Sequence, residues 1–172
     1  MSPNETITYR PPTVEDASGI WRLVRDSGVL DCNSAYVYLL LCRDFAKTCL
    51  VATVGSIIVG FVTGYRRPEN SRTLFVWQIG VAADWRGRRI GSALLDRVVQ
   101  RARAETPVDF VEATVAADNP ASRKLFQSLA SAMHVPLHES AADGFSAELF
   151  PDGQHAAEPI IRLGPFPPST AV

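Results

Sequence analysis

The stretch from Phe75 to Leu95 constrains this chain most. Phe75-Val76-Trp77-Gln78-Ile79-Gly80-Val81 is an apolar run. After Ala82-Ala83-Asp84-Trp85 comes a short loop rich in Gly and Arg, Arg86-Gly87-Arg88-Arg89, and then a periodic segment, Ile90-Gly91-Ser92-Ala93-Leu94-Leu95. Strand, tight turn and helix in that order aim the first unpaired amides of the helix at whatever fills the turn. The helix dipole favours an anion there, and a diphosphate fits. No Gly-Lys-Ser/Thr closes the loop as in a Walker turn, and the GxGxxG spacing is absent. A basic surface turn before a helix would show the same residues.

The flanking chain alternates strand and helix signals. Thr13 caps a helix with an acidic first turn that ends at Ser27-Gly28, and Ser34 can cap a second, Ala35 to Phe45. Cys49 to Val54 and Ile57 to Tyr65, joined by Gly55-Ser56, read as a hairpin. Thr73 to Val81 reads as a long central strand and Ile90 to Ala104 as the strongest helix. Phe110 to Ala116 follows as a strand. Asn119-Pro120 opens a helix through Leu129. A short strand near His134 to Glu139 and a last one from Pro159 to Leu163 complete the order. The fold class is therefore α/β, a mixed central sheet with helices on both faces.

The 172 residues are 47% hydrophobic and 20% charged, which suits one folded domain, residues 1–172, with a core of about 9–164 and a Pro-rich tail, 165–172. A net charge of −1 recommends neither nucleic acid nor an anionic membrane as partner. The N-terminal Met-Ser-Pro-Asn-Glu-Thr lacks the pattern of a secretory signal. Cys32, Cys42 and Cys49 have no CxxC spacing, so reduced thiols in a cytoplasmic protein are expected. No metal ligand set stands out: His134 and His138 flank Pro136, and His155 lies in a loop.

Arg86-x-x-Arg89-x-Gly91 resembles the Arg/Gln-x-x-Gly-x-Gly/Ala loop of the GCN5-related N-acetyltransferases, with Arg89 where a Gly is usual. Asn119-Pro-Ala-Ser-Arg-Lys-Leu-Phe126 resembles that family's Asn-x-x-Ala/Ser-x-x-Leu-Tyr segment, with Phe126 where the proton-giving Tyr is usual. Asn119 is equally a plain helix cap. The resemblance implies acetyl-CoA as co-substrate and no metal. It places Ile79, Gly80, Val81, Arg86, Gly87, Arg88, Arg89, Ile90, Gly91, Ser92 and Asn119 along the coenzyme. Four further segments, Leu30-Asp-Cys-Asn-Ser-Ala-Tyr-Val-Tyr-Leu-Leu-Leu-Cys-Arg-Asp-Phe45, Gly60-Phe-Val-Thr-Gly-Tyr65, Thr73-Leu-Phe-Val-Trp77-Gln78 and Glu158-x-x-x-Arg162, resemble one subfamily, the L-2,4-diaminobutyrate acetyltransferases of ectoine biosynthesis. That resemblance runs from about Tyr9 to Gly164. It implies acetyl transfer to the N4 amine of L-2,4-diaminobutyrate in a cytoplasmic homodimer.

Such an acceptor needs acids for its cation and donors for its carboxylate. Asp31 and Glu158 are expected at the ammonium end, with Thr73, Trp77 and Tyr36 lining the pocket. Asp31, Trp77 and Glu158 are the residues expected to carry catalysis. Asp31 could instead cap the second helix, and Trp77 could be core. Direct attack in a ternary complex is expected, with water relayed to Asp31 or Glu158 as base, since no cysteine has an evident activating partner. Acetylation of another small amine or a protein N-terminus, and a non-catalytic acyl-CoA sensor, stay open at this level.

Overall fold

The computed structural model describes residues 6–151, 153 and 155–168. The elements run β1 (Thr8–Arg10), α1 (Ala17–Ser27), α2 (Ala35–Asp44), β2 (Leu50–Val54), β3 (Ile57–Arg67), β4 (Asn70–Val81), α3 (Ile90–Glu105), β5 (Phe110–Thr114), α4 (Pro120–Met133), β6 (Leu137–Phe145) and β7 (Glu158–Leu163). Local chemistry sets several of the ends. A single 3-10 turn precedes α1, where Asp16 accepts from the Thr13 amide at 2.7 Å and from Arg10 at 2.6 and 2.8 Å. Gly28, at φ 65°, closes α1. Ser34 Oγ accepts from the Tyr36 amide, and Asn119 Oδ1 from the Ser122 amide at 3.0 Å, so both expected caps form.

The seven strands lie in the order β1-β2-β3-β4-β5-β7-β6. Every pair is antiparallel except β4 and β5, which α3 connects as a crossover. On one face α3 and α4 bury Leu94, Val98 and Phe126 against Leu74, Val76, Val111 and Ile161. On the other, α1 and α2 bury Ile20, Val24, Tyr38 and Leu41 against Val51 and Phe61. This is the mixed sheet with helices on both faces that the element order predicts.

Several boundaries differ from the sequence reading: β3 and β4 run to Arg67 and from Asn70, into the segment expected as a polar loop, and β5 ends at Thr114. β1 is a three-residue edge strand paired through Thr8↔Thr53, too short to show a period. The helix expected to end at Leu129 continues to Met133, and His134 closes it in the left-handed region at φ 54°. The strand expected from His134 therefore starts at Leu137 and runs to Phe145; it is an exposed edge, so no clean alternation marks it. The tail begins by folding back: Phe166 is buried in the α3–α4 core and its amide donates to Asp109 O at 2.8 Å. Residues 169–172 of the tail and 1–5 of the N-terminus lie outside the described residues.

Two irregularities in β4 position the site. The register against β3 runs Thr63↔Gln78 and then Gly64↔Val76, leaving Trp77 as the extra residue of a bulge. Gly64 permits it, since a Cβ there would stand 2.5 Å from Phe75 O. Against β5 the parallel register runs Thr73↔Phe110, Leu74↔Val111 and Phe75↔Glu112 and ends there. Val76–Val81 continue past that point, and the two strands part into a fork.

Candidate active site

The loop before α3 follows directly on the free end of β4. Gly87 at φ 78° and Arg89 at φ 60° bend the chain into α3. The left-handed backbone at Arg89 explains why the related loops carry Gly at this position. The α3 ladder starts when the Ala93 amide donates to Arg89 O at 3.0 Å, so the amides of Ile90, Gly91 and Ser92 precede it and face the turn. Arg86 Nε donates to Val81 O at 3.3 Å, tying the loop to the end of β4. The Arg88 guanidinium stacks 4.4 Å over Trp85, and the Arg89 side chain is exposed. A string of main-chain amides backed by two cations suits a diphosphate, and the open edge of β4 from Ile79 to Val81 suits an extended amide-bearing arm. Phe126 is buried in the core, so the side chain at this position is structural and gives no proton.

The residues expected at the acceptor come from two loops that the sequence keeps far apart. Asp31, between α1 and α2, and His155, between β6 and β7, are 124 residues apart in sequence, yet His155 Nε2 lies 3.4 Å from Asp31 Oδ2. Glu158 Oε1 is 3.8 Å from the same nitrogen. The three ligand atoms lie within 4.8 Å of one another, a cluster that attracts cations. His155 Nδ1 is 2.9 Å from Ala156 O; a carbonyl only accepts, so Nδ1 carries the proton and the neutral ring turns the Nε2 lone pair towards the two carboxylates. The Ala156 carbonyl holds the His155 pKa above the ordinary imidazole value; burial opposes it, and Asp31 and then Glu158 raise it further. Phe150 stacks on the ring at 3.9 Å. The sequence reading named Asp31 and Glu158 but not His155, which a lone His in an aperiodic loop does not reveal. Asp152 and Gln154 of that loop lie outside the described residues.

The β4 bulge sets the wall of this site. Without it, Trp77 and Gln78 would face opposite sides of the sheet; with it, both face α1 and α2. Trp77 is half-buried, 6.2 Å from the Tyr38 ring. Gln78 Oε1 accepts from the buried Tyr38 hydroxyl at 2.9 Å, and its Nε2 donates to Asp31 O at 3.0 Å. Trp21 Nε1 donates to Asn33 O at 3.1 Å. The loop is thus pinned by its backbone, and the Asp31 carboxylate turns to His155 Nε2. The capping role falls to Ser34. Tyr36 is 62% exposed on the first turn of α2. Thr73 is buried at the rung it shares with Phe110, two rungs before the fork. Burial pushes the Cys42 thiol up to about 11 and the Cys49 thiol up to about 12, so neither supplies a thiolate nucleophile.

A phosphate-type loop, a forked β4/β5 pair and the Asp31–His155–Glu158 cluster suit an N-acyltransferase, and the chain belongs to the acetyltransferase (GNAT) family, whose model matches residues 16–130. Curated relatives carry the finer assignment. An L-2,4-diaminobutyric acid acetyltransferase from Streptomyces anulatus is 44% identical over 164 residues, 95% of this chain and 92% of that protein. One from Marinococcus halophilus is 41% identical, over 94% and 92%. The chain belongs to the L-2,4-diaminobutyric acid acetyltransferase family. Its fold matches a solved structure of diaminobutyrate acetyltransferase EctA from Paenibacillus lautus, in complex with L-2,4-diaminobutyric acid and coenzyme A, at a TM-score of 0.90 and 40% identity, covering 98% of this chain and 100% of that one. Ard1 from Thermoplasma volcanium, 21% identical at a TM-score of 0.73, shares the fold.

Proposed function

We propose that this acetyl-CoA-dependent acyltransferase moves acetyl to the N4 amine of L-2,4-diaminobutyrate by direct attack in a ternary complex, giving N4-acetyl-L-2,4-diaminobutyrate. The observation that carries the reading is the meeting of Asp31, His155 and Glu158 beside the β4 bulge. A primary ammonium has three N–H donors, and the cluster offers three acceptors: two carboxylate oxygens and one imidazole nitrogen. Holding the α-ammonium there leaves the γ-amine to reach the fork, where acetyl-CoA would lie along Ile79–Val81 with its diphosphate at Arg86–Ser92 and Asn119 towards its pantetheine. Trp77 and Tyr36 wall the acceptor, and Thr73 supports β4 beneath it.

The γ-amine attacks only when neutral. Its proton leaves through water to the same acidic cluster, and β4 amides stabilise the developing oxyanion. With Phe126 in the usual Tyr position, the thiolate departs unassisted and is protonated from solvent. Exposed Tyr36, Leu39 and Phe145 support a homodimer, and free cysteines support a cytoplasmic setting. Among the described residues no helix is long and apolar enough to cross a membrane.

The test is incubation with acetyl-CoA and L-2,4-diaminobutyrate, with NMR of the product. Acetylation at N2, or no acetylation, overturns the assignment. Asp31→Ala and Trp77→Ala should raise the acceptor KM far more than the acetyl-CoA KM.

A further inference from the structure

We propose that Thr114 is a positioning residue for the acceptor: its hydroxyl selects which oxygen of Glu158 faces the ammonium. The proposal rests on reading Asp31, His155 and Glu158 as the ammonium site. Thr114 is the last residue of β5. Val111 and Ala113 enter the α3–α4 core, so Glu112 and Thr114 alternate onto the acceptor face of the sheet. β5 and β7 pair through Thr114↔Ile160, and Glu158 lies two residues before Ile160 on the same face. The side chains of Thr114 and Glu158 therefore meet.

Their contact is specific to one atom. Thr114 Oγ1 donates to Glu158 Oε2 at 2.5 Å. With Oε2 engaged, Oε1 is the oxygen that points towards His155 Nε2, at 3.8 Å. A glutamate has three side-chain torsions and a carboxylate that can present either oxygen; anchoring one of them leaves a single acceptor at a defined place. Thr suits the task because its branched Cβ restricts χ1, so the hydroxyl direction is set by the strand before any ligand arrives. The anchor comes from β5, two residues past its last rung with β4, and not from His155 or the ammonium, so it persists whichever of them faces Oε1. Thr114 touches neither reactant in this role; it acts through Glu158.

The experiment compares Thr114→Val, Thr114→Ser and Glu158→Gln with the full-length protein, by steady-state kinetics with each substrate varied in turn and by thermal unfolding. Thr114→Val keeps the shape and removes the donor. It should raise the acceptor KM about tenfold, the scale of one hydrogen bond to a charged group, and leave the acetyl-CoA KM and the melting temperature nearly unchanged. Thr114→Ser should recover most of the loss. An unchanged acceptor KM in Thr114→Val, equal rises in both KM values, or no recovery in Thr114→Ser overturns the role of Thr114. If Glu158→Gln itself leaves the acceptor KM unchanged, the ammonium site is misread; if Glu158→Gln raises it and Thr114→Val does not, only the Thr114 inference falls.

Discussion

Replacing Gly144 with Ala tests how tightly the backbone of Glu158 is held. β6 pairs with β7 through Ser140↔Ile160 and then Phe145↔Glu158, so several β6 residues bulge over one short stretch of β7. A Cβ on Gly144 would lie 2.2 Å from Glu158 O, 2.7 Å from Pro159 Cα and 2.9 Å from Ile160 N. All three neighbours are backbone, so no side chain can swing away. Reaching ordinary contact at about 3.5 Å requires a retreat of more than 1 Å. Overpacking of this kind costs about 1–3 kcal/mol, which for a chain of this size lowers the melting temperature by roughly 2–12 °C. If Glu158 is the side that yields, a displacement of about 1 Å costs on the order of 10²-fold in acceptor kcat/KM. Thermal unfolding and kinetics at saturating acetyl-CoA read the two effects separately. Native stability with native acceptor kcat/KM would refute the reasoning. A loss shared equally by acetyl-CoA binding would show that the damage is not local to Glu158.

Arg89→Gly removes a side chain from the left-handed region at a cost relief of about 1 kcal/mol, so the melting temperature should rise by ~2–4 °C; a fall would mean the Arg89 side chain contributes more than its backbone costs. The His155 imidazole should titrate by NMR above about 6.5. With its folded pKa raised, the charged ring adds stability below the unfolded value, and that contribution is lost as pH rises through the folded value. The same imidazolium occupies the two carboxylates, so the acceptor KM should rise as pH falls through this midpoint. Asp31→Asn should lower the midpoint only in part, because the Ala156 carbonyl is the larger cause. Iodoacetamide at pH 8 should alkylate exposed Cys32 and spare Cys42 and Cys49; modification of all three in the native fold would contradict their burial.

What could be read in the chain and what could not divide along a physical line. The donor side is local: β4, the Arg86–Gly91 turn and α3 are consecutive, so period, glycine placement and helix start all fall in one window. Even the unusual Arg89 is visible there as a departure, and its φ of 60° then supplies the reason. The acceptor side is assembled from distant pieces. The bulge at Trp77 depends on Gly64 of β3 closing on Phe75 O, a contact that no pattern within β4 announces. Gln78 consequently faces the acceptor loop and bonds Asp31 O, although strand alternation alone would place it opposite Trp77. Glu112 shows the same limit. It is a fully buried acid within an apolar strand pattern, bonded by Arg67 from β3 at 2.8 Å and Arg162 from β7 at 2.6 Å. Neither arginine is near it in sequence, and a buried carboxylate is stable only with such partners. This network closes the sheet at Phe75↔Glu112, the last rung before the fork. The last rung before the fork is thus held by side chains from three strands, which is why the turn before α3 is legible from one segment and the Asp31–His155–Glu158 cluster is not.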